Sequence, residues 1–286
     1  MLIDRLKQTY LDNKSKNPLV VRSLLKEVVQ FYILDFVFNS KWGSKLIFKG
    51  GTCLRFCFDL PRLSEDLDFD IEDGYSIEKR EPFNIETLAS DIKDYFVKKL
   101  QFPKLGIRIA NNQRTIYLKF PILSDLGMSL GKSDSVVLHV RIDLALAPKT
   151  GYKIEVSVKS SQNLSFLIRR YSPEDLFAGK ISAILTREKI EGTERVERFK
   201  GRDYYDLIWF LEKGFRPNWK MILEATGMNK KEVLVKLNRK IKMVTETFLK
   251  EDLLPFFENQ SFVEQFAENF HSLANRYVSQ FAKLDQ

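Results

Sequence analysis

The sequence predicts an α/β (α+β) fold in which a sheet with flanking helices is followed by a mainly helical C-terminal domain. Three observations carry that expectation. A short apolar run, Leu46-Ile47-Phe48, ends in a glycine pair; an alternating stretch, Asp66-Leu67-Asp68-Phe69-Asp70-Ile71, follows closely; and beyond Pro217 the chain reads as consecutive helices. The first two have the short length and period of strands, the third the period of helices. A boundary is placed near residue 165, giving domains at 1–165 and 166–286.

In chain order, residues 19–39 form an apolar helix suited to backing a sheet. Leu46-Ile47-Phe48 then delivers the chain into Gly50-Gly51, and Thr52 opens a short helix. Asp73-Gly74 and Pro82 mark loops before an amphipathic helix over 84–101. Strands follow at 114–122 and 136–146, the second alternating His139, Arg141 and Asp143 with Val140, Ile142 and Leu144. Ser172 and Pro173 are an N-cap and first residue for a helix that carries Lys180. The segment 187–202 is a strongly charged exposed loop, and a further helix begins at Asp203 and runs to Leu211. The phenylalanines of 256–284 recur at helical spacing, a core pattern rather than a stacking platform. The lysines and arginines of 230–242 suit either a solvated helix face or a nucleic-acid track.

The chemistry concentrates between residues 49 and 70. Glycines let backbone approach a ligand closely, and helix N-terminal amides favour anionic oxygen, so Gly50, Gly51 and Thr52 suit a triphosphate. Alternation sends Asp66, Asp68 and Asp70 to one strand face, where Asp66 and Asp68 are placed to hold a hard cation, Mg²⁺ or Mn²⁺, beside an NTP. Asp143 either joins them as a third carboxylate or faces solvent at its strand end. Arg55, one turn beyond Thr52, is placed to reach a phosphate. Lys180 lies among apolar residues and is either a solvated charge or the partner of a triphosphate. Asp203 and Asp206 serve the nucleotide, order a nearby cation or stabilise their helix N-terminus.

These residues resemble the AbiEii/AbiGii toxin branch of the nucleotidyltransferase superfamily, which includes the MenT toxins. The resemblance rests on Lys49-Gly-Gly-Thr-Cys-Leu, Leu63-Ser-Glu-Asp-Leu-Asp-Phe, Lys180-Ile-Ser-Ala and Arg202-Asp-Tyr-Tyr-Asp-Leu, in that order. It implies a bilobed enzyme with a nucleotidyltransferase-type mixed sheet and its substrate in a cleft completed by the helical domain. It also implies a toxin paired with a cognate antitoxin, transferring NMP from an NTP to an acceptor, for which the 3′ end of tRNA is the known target in the MenT group. Within it Lys180 neutralises charge on the triphosphate, and Asp206 is favoured over Asp203 as the last motif position. Ser64, beside Glu65-Asp66, is a candidate phosphosite through which an antitoxin would silence the site by added negative charge.

A formal net charge of +8 suits a phosphate polymer as partner. No run of about 18 apolar residues occurs and the N-terminus lacks a signal-peptide core, so the expectation is a cytoplasmic protein without a membrane partner. Two rivals use the same residues: a catalytically silent nucleotide- or RNA-binding module, and a metal-dependent nuclease. The glycine pair, carboxylates and lysine together favour the transferase.

Overall fold

The computed structural model describes residues 2–72, 83–128, 136–149, 151–161, 164–191 and 194–284. The loops expected at Asp73-Gly74 and Pro82 lie outside the described residues. The chain divides into two compact units, Met1–Lys149 with Ile154–Arg170, and Thr150–Lys153 with Tyr171–Gln286.

The first unit holds, in order, α1 (Leu2–Asn13), α2 (Pro18–Phe38), β1 (Leu46–Lys49), α3 (Gly50–Phe58), β2 (Asp66–Ile71), α4 (Ile85–Asp94), β3 (Gly106–Ala110), β4 (Thr115–Phe120), β5 (Leu138–Leu146), β6 (Ile154–Ser161) and β7 (Leu164–Tyr171). The strands form one mixed sheet in the order β3-β4-β5-β2-β1-β7-β6. β2 runs antiparallel to β1 and parallel to β5, while β7 runs parallel to β1. The boundary expected at residue 165 cuts through β7, whose ladder to β1 keeps it with the sheet as far as Arg170.

Alternation along the strands gives the sheet two unlike faces. Leu67, Phe69, Phe48, Val140 and Ile142 are buried on one, and Phe38 of α2 meets Phe48 and Phe69 at ring-centroid distances of 6.4 and 6.3 Å. Phe31, a turn or two earlier on α2, meets Phe166 of β7 at 5.2 Å. α2 starts where Asn17 accepts from the Leu19 N–H, with Pro18 in the first turn, and it buries residues from Val20 to Val37 on several sides. Its polar Asp35 is satisfied by the Tyr95 hydroxyl at 2.8 Å. The amphipathic helix expected over 84–101 is α4 followed by a single π turn, Tyr95–Lys99. The opposite sheet face carries the aspartates.

The second unit contains α5 (Pro173–Thr186), the hairpin β8 (Glu188–Glu191) and β9 (Glu194–Glu197), α6 (Gly201–Glu212), α7 (Trp219–Thr226), α8 (Lys230–Lys242), α9 (Glu246–Leu253) and α10 (Gln260–Leu284). The charged segment expected as a loop therefore contains a two-stranded hairpin. Ser172 caps α5 by accepting from the Asp175 N–H, and Asn229 with Glu232 forms a reciprocal capping box on α8. Phe177 stacks on Phe210 at 4.5 Å, and Tyr205 meets Phe257 and Phe266 edge-on at 4.9 and 5.1 Å. The phenylalanines of α10 are thus mainly core. Lys240 of α8 is only 1% exposed and lies over the Phe199 ring, so it is withdrawn from the basic face that the sequence suggested. Among the described residues no helix is long and apolar enough to cross a membrane.

Candidate active site

β1 passes into α3 through Gly50, which holds φ at +79°. That left-handed backbone disfavours any side chain, and a Cβ there would collide with the Asp68 carboxylate. Gly51 is bare for a second reason: its Cβ would lie 2.6 Å from Arg62 Nη2 and 3.0 Å from Ser64 Oγ. Arg62 is 2% exposed and donates from Nη1 to the Leu63 carbonyl at 2.9 Å. No side chain caps the start of α3, which leaves backbone N–H groups as its anion-attracting feature.

Three sequence expectations shift at this point. Thr52 is fully buried and its hydroxyl donates to the Asp66 carbonyl, so that hydroxyl braces α3 against β2 instead of cradling phosphate. Arg55 does not extend toward a phosphate: its Nε is bonded to Glu27 Oε2 at 2.8 Å and its Nη1 to the Leu60 and Pro61 carbonyls at 3.2 and 3.3 Å. Those acceptors, an anion on α2 and the chain leaving α3, hold it as a staple. Ser64, expected as a candidate phosphosite, is buried, with its Oγ 3.0 Å from where a Cβ on Gly51 would lie.

Strand register brings the carboxylates to one face. Across β4, β5, β2 and β1 one row reads Thr115, Asp143, Asp68 and Lys49. The neighbouring row over β5 and β2 pairs Arg141 with Asp66. Paired residues point to the same face on strands roughly 4.8 Å apart, so Asp66, Asp68 and Asp143 form one acidic patch. Asp70 shares the face but is buried, with its Oδ1 2.5 Å from Lys49 Nζ. Thr115 donates to Asp143 Oδ1 at 2.8 Å.

Clustered carboxylates repel and need positive charge nearby. Arg141 supplies it, with Nη2 2.6 Å from Asp66 Oδ2 and Nε 2.9 Å from Asp143 Oδ2. Burial disfavours the charged guanidinium, yet Asp66 and Asp143 outweigh it and raise the Arg141 pKa. The donor set is all carboxylate, the chemistry of a hard divalent cation. Among the described residues no three such ligand groups converge on one point, and the Arg141 guanidinium bridges two of the three. The residues fit Mg²⁺ in donor type and in shared face.

The second unit brings its own predicted residues together. Lys180 Nζ lies 2.9 Å from Asp203 Oδ1 and 2.6 Å from Asp206 Oδ2, and Arg187 Nη2 lies 2.9 Å from Asp203 Oδ2. Asp203 and Asp206, three apart on α6, both engage the same ammonium. Burial pushes the Asp203 carboxyl up, but Lys180 and Arg187 overcome it and hold the group well below the usual carboxylate range. Lys200, next to this cluster, is pushed down to about 8 by burial and by the Arg202 charge. Arg62, Arg187 and Lys200 carried no signal in the sequence beyond being cations; Arg141 did, by alternating with Asp143 on one strand.

A family model described as nucleotidyl transferase AbiEii toxin, of a type IV toxin–antitoxin system, matches residues 33–285. The chain belongs to the AbiEii nucleotidyl transferase toxin family. The match spans the glycine pair, the aspartates and the Lys180 cluster in one family frame. Among solved structures, MenT4, a nucleotidyltransferase toxin from Mycobacterium tuberculosis, is similar at TM-score 0.53 and 13% identity, covering 96% of this chain and 92% of its own. JHP933 from Helicobacter pylori is similar at TM-score 0.47 and 17% identity, covering 92% and 94%. The likeness to MenT4 shows that this AbiEii chain has the nucleotidyltransferase-type fold. No curated protein sequence matches the chain.

Proposed function

We propose that this AbiEii chain transfers NMP from an NTP, with Mg²⁺, to the 3′ end of tRNA, halting translation and growth in the cytoplasm until a cognate antitoxin neutralises it. The observation that carries the reading is the register placing Asp68 opposite Asp143, with Asp66 on the same face and Gly50 against Asp68. Asp66 and Asp68 would hold Mg²⁺, with Asp143 completing the set. Bound there, the ion would supply Lewis-acid charge to the phosphate oxygens.

The chain's own groups then divide the work. Gly50 and Gly51 admit phosphate oxygens to the uncapped amides of α3. Asp143, steadied by Thr115, takes the proton from the acceptor hydroxyl. The acceptor oxygen forms a bond to the α-phosphorus as the bond to the bridging oxygen breaks, and pyrophosphate leaves with that electron pair. Lys180, held by Asp203 and Asp206, is proposed to neutralise the triphosphate, supported by the excess of cations around those two carboxylates.

The test incubates purified protein with each labelled NTP, Mg²⁺ and total tRNA, beside Asp66→Asn. Label entering RNA only with the unaltered protein is expected, with a loss of at least about 100-fold in the variant. Intact, unlabelled RNA would refute tRNA as acceptor, and shortened RNA would replace transfer with nuclease action.

A further inference from the structure

The sheet face that carries the aspartates continues along β5 and across two more strands, β4 and β3, and its character changes there. Extending the Arg141 and Asp66 row over β4 and β3 adds Tyr117 and Arg108. The next row out pairs Gly106, Lys119 and His139. Arg108, Lys119 and His139 are exposed and Tyr117 is half-buried. The Arg108 guanidinium lies 5.4 Å from the Tyr117 ring centroid, and Tyr117 is the register partner of Arg141.

Nothing in the transfer chemistry uses these residues. They nevertheless form a continuous strip running from two exposed cations, past an aromatic ring, to the acidic patch. On a strand face exposed to water, such a grouping matches what a single-stranded polynucleotide offers: phosphates for the cations and a base for the ring. Further cations stand near this corner. Burial first, then Lys119, Lys26 and Arg22, keep the His139 imidazole below its ordinary pKa. Lys26 reaches the same corner from α2 while bonded to Glu65 at 2.9 Å.

We infer that the β3–β4–β5 face is the docking track for the single-stranded end of an RNA acceptor, with Arg108 and Lys119 on phosphates and Tyr117 stacking a base. This rests on the transferase reading for its direction, because the strip leads to Asp66 and Asp143. It also assigns RNA to this face instead of the basic helix α8.

The experiment measures binding of a fluorescent single-stranded oligoribonucleotide and of total tRNA to the full chain by anisotropy at several salt concentrations. Arg108→Glu with Lys119→Glu should weaken both by at least about tenfold and flatten the salt slope by about 1.4, the contribution of two single-strand phosphate contacts. Lys231→Glu with Lys242→Glu on α8 should leave both near the unaltered value. Circular dichroism checks folding, and Arg108→Gln with Lys119→Gln carries the same test with a smaller perturbation. Unchanged binding in both β-face pairs, loss confined to the α8 pair, or an unaltered protein that binds no RNA would each overturn the inference. Calorimetric NTP binding with Mg²⁺, measured alongside, separates the two readings. If RNA behaves as stated and no NTP binds, the track stands and the transferase reading falls.

Discussion

At the scale of single residues, the cations define what the carboxylates do. Asp66 sits against Arg141 in a pair that is partly open to water, with side chains 25% and 38% exposed. Such pairs contribute up to about 1 kcal/mol to stability, so Asp66→Asn should cost little in folding while abolishing transfer. Thermal unfolding of the variant checks the first half. Lys200 behaves differently. Its pKa of about 8 lies below the 10.5 of a free lysine, so the folded state releases its proton first as pH rises. Between about pH 8 and 10.5 the unfolded chain binds more protons, and stability attributable to this group rises with pH. Below pH 8 the burial penalty is fully present. Lys200→Met should therefore stabilise the protein at pH 7, by an amount on the order of 1 to 3 kcal/mol, and flatten the pH dependence across that window in denaturant titrations.

At the scale of elements, the turn between β1 and α3 is the most constrained. Gly50→Ala forces a side chain into a left-handed conformation and against the Asp68 carboxylate. The expected cost is about 1 to 3 kcal/mol, with loss of NTP binding exceeding that caused by a same-sized change on an exposed helix face. Calorimetry and chemical denaturation read the two effects. β2, α2 and the start of α5 were legible because local signals agreed: strict alternation, a long apolar period, and Ser172-Pro173 as cap and first residue. α1, β3, β6 and the β8–β9 hairpin were not. β3 and β6 are the two edges of the sheet. β6 mixes Val156 and Val158, both exposed, with serine and lysine, so its hydrophobic pattern carries little information about which face is inside.

At the scale of the whole molecule, a formal charge of +8 predicts RNA affinity that falls steeply with ionic strength. The logarithm of the binding constant should decline linearly with the logarithm of salt, with a slope magnitude near 0.7 for each single-strand phosphate engaged. A flat plot would show that attraction to phosphate has no part in acceptor choice. The candidate site was legible in its kinds of residue, less so in its company. Asp66 and Asp68 announce themselves through alternation, but Arg141 stands 75 residues beyond Asp66, and only strand order brings it there. Thr52 and Arg55 looked like ligand residues because they neighbour the glycines in the chain. Folding commits both to bonds inside the protein.

The same register that sets Asp68 opposite Asp143 also sets Leu67 opposite Ile142 and Phe69 opposite Leu144. One inserted residue early in β5 would exchange the two sets, presenting leucine and isoleucine to the acidic face and an aspartate to the apolar interior. Misaligned copies would lose the hydrophobic core together with the acidic patch, so faulty folding and loss of the candidate site become the same event.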